Sequence, residues 1–427
     1  MQVSTSLRCG ILLICATFCC FKCAWAQSNN INKLTVSILV FSVEQRNAFE
    51  RVAAEFIKQH PGTAIDYIAA DDPTYKAKSV MWLSSPGDID VMNWPWPSRL
   101  RELSVRGLVE PVSDLWGMPY MQGYSGAMKE SVTVSNNQFA IPYASGFWGF
   151  YYNKPLFDGH NLDVPNTTEE LLETCLVLRK FDVVPFALGV KTPWPLLAWF
   201  DYLNLRNNGL DFYLSLARGE VPFTDPKVVN VLEEWKRLID NQCFFSDAAE
   251  YEFHQTYPMI FRKHAAMLLS GNFFTSQIPD SVRDDIGFFP FPATEGSLDN
   301  IAHYELAPTD MFIIPKGSDN KPLAKAFLAF IAKPYAQRLL NDATSFIPTH
   351  PDASVPDDYF VDQGRINIYS AAGVGQYFDR DASLQLAQTT QLVLRDFLES
   401  GDVVEVTSRL EMARQSLSLP DATTVEN

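Results

Sequence analysis

Residues 34–41 (LTVSILVF) form an uninterrupted aliphatic and β-branched run, the pattern of a strand buried on both faces. Residues 44–60 follow, with Phe49, Val52, Ala53, Phe56 and Ile57 at helical spacing. A second strand is predicted at 63–68, a second helix at 75–83, and a short buried strand at 89–92 that runs into Asn93-Trp94-Pro95-Trp96-Pro97. Strand, helix, strand in this rhythm predicts an α/β sheet covered by helices. Residues 138–157 (QFAIPYASGFWGFYYNKPLF) then combine a strand, a tight turn, an aromatic cluster and a second strand. Pro142 cannot donate to a ladder and is expected to end the first of these strands. Phe147, Trp148 and Phe150 place wide apolar faces beside the turn; Phe150 reads as core, while Trp148 could be core or a platform for a ring-shaped ligand. Further strands are expected at 265–269, 286–292 and 312–316, and helices at 322–332, 384–398 and 404–418, with no internal repeat.

Phe139-Ala140-Ile141-Pro142-Tyr143 followed by Tyr151-Tyr152-Asn153-Lys154-Pro155-Leu156-Phe157 resembles a signature of the extracellular solute-binding family that feeds sugars to ATP-driven importers. The resemblance continues in order along residues 34–350. It includes 89–92 followed by Gly107-Leu108-Val109-Glu110-Pro111-Val112, a helix start near Thr167 or Thr168, residues 259–278 (MIFRKHAAMLLSGNFFTSQI), and Ser345-Phe346-Ile347-Pro348-Thr349-His350. Lys263-His264 departs from the family's glycine, and Phe273 or Phe274 stands where tryptophan is usual. The resemblance implies a two-lobe α/β fold of the type II periplasmic binding class, with mixed sheets flanked by helices and a ligand cleft between the lobes. It implies lobes composed of 27–141 plus 287–345 and of 142–286 plus 346–427, so that crossings near Ile141, Gly287 and Ser345 form a hinge. It also implies a monomeric, non-enzymatic protein that needs no cofactor or metal. Such a protein captures a carbohydrate-like solute for a membrane permease and its ATPase.

The N-terminus bears on location. Arg8, an apolar run at 11–21 too short to cross a bilayer, and Ala24-Trp25-Ala26 before Gln27 read as a cleaved signal peptide, residues 1–26. Cys23 follows Phe21 and Lys22 rather than small residues, so a soluble periplasmic protein without a lipid anchor is expected. Five of the seven cysteines lie in that segment, leaving Cys175 and Cys243 as a disulfide or as two buried thiols. Loss of Arg8 and Lys22 takes the net charge of −16 to −16 − 2 = −18, which argues against a nucleic-acid partner.

Sugar recognition needs flat aromatic faces for the C–H side of a ring and planar polar groups for its hydroxyls. Trp94, Trp96, Trp148 and Trp194 are the candidate platforms, with Phe273 in the loop after the 265–269 strand. Trp116, Trp199 and Trp235 read as packing. Glu44, just past the first strand, and Asn272 are the candidate hydroxyl readers, with Ser145, Tyr304 and Asp310 as further contacts; Asp310 reads equally as a structural carboxylate. An anionic solute such as glycerol phosphate would instead need arginine, and Arg99 or Arg206 could serve. A sensory partner for the same fold is a further alternative. Gly123-Tyr124-Ser125-Gly126-Ala127 lacks the last glycine of a nucleophile elbow. The six histidines show no paired metal spacing, and no phosphate loop is present.

Overall fold

The computed structural model describes residues 32–95, 99–294, 303–342, 344–355 and 357–417. The expected signal peptide and Trp96 lie outside the described residues. Strand β1 (Asn32–Leu39) leads into helix α1 (Val43–Gln59), whose N-cap Ser42 accepts from the Gln45 N–H at 3.1 Å. Strand β2 (Thr63–Ala70) pairs in parallel with β1 and passes into α2 (Asp72–Ser84), capped by Asp71 accepting from the Thr74 N–H. Strand β3 (Val91–Trp94) lies parallel on the other side of β1. β4 (Ile141–Ser145), β10 (Thr309–Ile313) and β11 (Ile347–Pro348) complete a six-stranded mixed sheet of order β11-β4-β10-β3-β1-β2. Leu34, Val36, Phe49, Phe312 and Phe327 are fully buried in the core of this first lobe.

The second lobe is built on a four-stranded sheet. β5 (Trp148–Asn153) pairs antiparallel with β7 (Ala265–Gly271) and β8 (Ile286–Phe289), and β6 (Val184–Phe186) pairs in parallel with β7. One face packs on α3 (Thr168–Lys180), α4 (Pro195–Ala217) and α5 (Pro226–Asp240), with Phe150, Trp199 and Trp235 in the core. Thr167 is the cap of α3. The other face buries Tyr151, Phe274 and Phe360, the last from α6 (Tyr359–Ser370). The two closing helices (Leu384–Ser400 and Val403–Leu417) also pack on this lobe. β9 (Tyr304–Leu306) pairs with β12 (Gly373–Gly375) beside α4. Cys175 and Cys243 form a disulfide with Cα atoms 5.7 Å apart, joining α3 to the turn after α5.

Sheet membership moves all three crossings relative to the expected Ile141, Gly287 and Ser345. Pro142 does not end its strand. It sits where the pairing with β10 slips, Asp310 opposing Ala144 and Met311 opposing Pro142, a bulge at which a missing N–H is tolerated. β4 therefore continues to Ser145, opposite both Thr309 and Ile347, and the chain crosses at Gly146-Phe147. Gly287 lies within β8, opposite Tyr152 on β5, so the return comes at Ala307-Pro308, between β9 and β10. The third crossing follows Pro348, since β11 still pairs with β4.

Candidate functional site

A chamber lies between the lobes where the crossings meet. Trp148, Trp194, Phe273 and Tyr377 of the second lobe form its aromatic wall, with Phe41 of the first lobe opposite. Local chemistry holds each ring. The Phe41 N–H donates to Gln45 Oε1 at 2.7 Å, so the turn that starts α1 also fixes Phe41 at the end of β1. Phe41 stacks on Phe273 across the cleft, with ring centroids 5.4 Å apart. Trp148 opens β5 directly opposite Gly271. A Cβ on Gly271 would come within 2.6 Å of both the Trp148 indole and the Phe273 ring, so only glycine lets these two aromatics approach. Trp194, between Pro193 and Pro195 at the start of α4, stands edge-to-face to Trp148 at 6.0 Å.

The polar side of the chamber is ionic. Asp72 in the first turn of α2 and Lys76 one turn later pair at 2.8 Å, and Lys76 reaches across the cleft to Asp379 at 2.7 Å. Burial works to lower the Lys76 ammonium, but Asp379 and Asp72 outweigh it and hold it above its ordinary value. Burial likewise pushes the Asp379 carboxyl up, yet Lys76 and the neighbouring Arg380 and Arg99 bring it below the usual carboxylate range. Arg380 pairs with Asp310 at 3.2 Å. Burial raises Asp310 above its ordinary value against the opposing pull of Arg380. Arg99 of the first lobe donates to the main-chain carbonyls of Asp379 and Ala382.

Of the residues expected from sequence, Trp148, Trp194, Asn272 and Phe273 line this chamber. Asn272 is 1 % exposed, and its amide is occupied at the crossings: Oδ1 accepts from the Phe147 N–H at 3.2 Å and Nδ2 donates to the Thr344 carbonyl at 3.3 Å. It ties the turn where the chain first leaves the first lobe to the loop that leads into β11. Asp310 lies behind Arg380 as a paired carboxylate. Trp94 is 3 % exposed in the first-lobe core, because β3 is a central strand and its last residue still pairs with Met311. Ser145 sits at the β4 end, where two strands oppose it, and is not on the chamber wall. Tyr304 lies half-buried in β9 beside α4, its carbonyl accepting from Arg206. Glu44 is exposed at the lip of the cleft, where Gln277 of the other lobe donates to it at 3.3 Å. Sequence reading passed over Phe41, Asp72, Lys76, Tyr377, Asp379 and Arg380. For Asp72 a signal existed: it follows the carboxyl end of a parallel strand, as Glu44 does.

The profile of the family described as bacterial extracellular solute-binding protein matches residues 42–338. The alpha-glucosides-binding periplasmic protein AglE of Rhizobium meliloti is 24% identical over 332 residues, 73% of this chain and 71% of its own. An uncharacterized ABC transporter extracellular-binding protein of Pyrococcus horikoshii is 24% identical over 323 residues, 72% of this chain and 70% of its own. Among solved structures, the bacterial solute receptor AcbH superposes with a TM-score of 0.83 at 23% identity, covering 91% of this chain and 99% of its own. RafE in complex with raffinose gives 0.72 at 15% identity, covering 91% of this chain and 100% of its own. These likenesses in fold match the two-lobe architecture, and with a family profile spanning most of its length the chain belongs to the bacterial extracellular solute-binding protein family.

Proposed function

We propose that this chain is the extracytoplasmic capture component of an ATP-driven importer and that its solute is a neutral carbohydrate. It would bind the solute between its lobes and present the closed complex to a membrane permease served by an ATPase, after export to the periplasm by a cleaved signal peptide. The carrying observation is the pairing of an aromatic wall with a polar wall whose charges are already matched. Trp148, Trp194 and Phe273 offer faces to the C–H side of a ring. Asp72, Lys76, Asp379 and Arg380 offer donors and acceptors to hydroxyls. AglE and RafE, named for alpha-glucosides and raffinose, make the same ligand class the natural expectation for this site.

An anionic solute fits less well. Lys76 is held by two carboxylates and Arg380 by Asp310. Arg206, the other arginine considered for a phosphate, is buried in a pair with Glu305 outside the chamber.

Thermal unfolding of the purified protein against neutral saccharides, polyols and glycerol phosphate tests the reading. A true ligand at a hundredfold excess over its Kd adds about 2.7 kcal/mol, a rise of a few degrees in Tm. Stabilisation by a neutral saccharide is the expected result. Stabilisation by glycerol phosphate alone would replace the carbohydrate with an anion.

A further inference from the structure

A cavity of about 460 Å³, large enough for a small organic molecule, opens on the second lobe and shares no lining residue with the chamber. Its walls come from α3, β6, the end of α5 with the turn that follows, and the closing helix Leu384–Ser400. Since all of these belong to one lobe, the cavity stays formed whether the cleft is open or shut. Val190, Ile239, Phe244 and Leu398 make much of its lining apolar. Phe244 is anchored by the lobe core: its ring is edge-to-face with Trp199 at 4.9 Å and lies 5.6 Å from Phe186.

Two arginines line the cavity from separate helices, Arg179 in the last turn of α3 and Arg395 on the closing helix. Neither pairs with a carboxylate among the described residues. Arg395 is half-buried and makes no hydrogen bond or ion pair with any described residue. Arg179 donates to Gln242 Oε1 at 2.9 Å and leaves the rest of its donor fork unused among the described residues. In a chain with 50 acidic against 34 basic residues, want of acids does not account for this. Glu399, the acid on the lining, is exposed one turn beyond Arg395, so the lining carries two cations against one anion. The disulfide holds these walls together. Arg179 lies one turn beyond Cys175, and Gln242 and Phe244 flank Cys243, so the covalent link from α3 to the turn after α5 fixes one side of the cavity against the other.

We propose that this cavity is a second ligand site, separate from the cleft, for a small monoanion with a flat apolar body, of the aromatic carboxylate class. The apolar side chains take the body, and the carboxylate lies between Arg179 and Arg395, whose planar guanidinium forks match its two oxygens. The disulfide sets the site before any ligand arrives, so binding spends little on ordering it. The chamber differs in kind: Lys76 is held there by Asp72 and Asp379, and Arg380 by Asp310. An anion thus finds uncommitted donors in the second-lobe cavity and not in the cleft.

Calorimetric titration of the purified protein at neutral pH with 2-naphthoate and with its neutral counterpart 2-naphthamide tests this. The carboxylate is expected to bind at least about tenfold more tightly than the amide. Arg395→Gln and Arg179→Gln keep most of each side chain and remove its charge; each should weaken 2-naphthoate by about tenfold and narrow its advantage over the amide. Circular dichroism and Tm establish that both variants are folded. Trp194→Ala, which alters the cleft, should leave 2-naphthoate affinity unchanged. Failure of 2-naphthoate to bind, equal binding of acid and amide, or an affinity untouched by both arginine substitutions would overturn the site. Binding lost in Trp194→Ala and kept in the arginine variants would place the anion in the cleft and overturn it as well. None of these outcomes bears on whether a saccharide fills the chamber.

Discussion

Trp148 and Trp194 face the same chamber but are held differently, and that difference decides how each can be tested. Trp148 is 6 % exposed and belongs to the second-lobe core, packed against Trp194, Phe273 and Tyr377. Trp194 is half-buried and lines the chamber. Truncating Trp148 therefore removes core as well as platform, at a cost of about 3–5 kcal/mol in stability. Trp194→Ala should lose less stability while weakening ligand binding roughly tenfold, about 1.4 kcal/mol. Denaturant unfolding and calorimetry on both variants separate the two effects; equal stability losses would mean that Trp194 is core. The same scale shows why Asn272 could be located from sequence but not understood. A loop position after a strand is legible locally, whereas the partners that occupy its amide, Phe147 and Thr344, lie 125 and 72 residues away.

Most long elements were legible because their signals are local: α1 from its apolar spacing, α3 from the Thr167 cap, β1 from its unbroken aliphatic run. The segment that carries Tyr377, Asp379 and Arg380 was not, since a helix of four residues, Phe378–Asp381, has no period to read. Its position is set from a distance. The carboxylate of fully buried Asp201 on α4 accepts from the Phe378 N–H at 2.9 Å, and Tyr213, also on α4, donates to the Gln376 carbonyl at 2.8 Å. Burial raises the Asp201 carboxyl well above its ordinary value; the Phe378 bond opposes the shift and the nearby Asp379 adds to it. An acid raised by folding keeps its proton in the native state while the unfolded chain releases it above a pKa near about 4. Stability contributed by that proton is thus full at low pH and lost as pH rises toward the native pKa. Asp201→Asn keeps an acceptor for Phe378 and removes the titration. The Tm of the variant relative to the wild type should therefore rise as pH climbs above about 4. Parallel Tm profiles would show that Asp201 titrates normally.

At the scale of the whole molecule, contacts made by the protein itself span the cleft: Phe41 on Phe273, Lys76 to Asp379, Asp310 to Arg380 and Gln277 to Glu44. A two-lobe binder works by population shift, so any such contact sets how much of the closing free energy the ligand must supply. Lys76 is the most exposed to test, because it neutralises Asp72 and Asp379 together. Removing it as Lys76→Met leaves those two carboxylates facing each other across the lobes with that cation gone, a loss that disfavours closure. The radius of gyration by small-angle scattering should then be larger at neutral pH than in the wild type, and the apparent Kd should weaken by the same factor as the closed fraction falls. The wild type should expand only in acid. Asp379 has a depressed native pKa, so its contribution is fully present above the unfolded value near about 4 and is lost as pH falls through the native one. If Lys76→Met and wild type share one radius at neutral pH, the ion pair is not what holds the lobes together, and the Phe41–Phe273 stack becomes the contact to remove next.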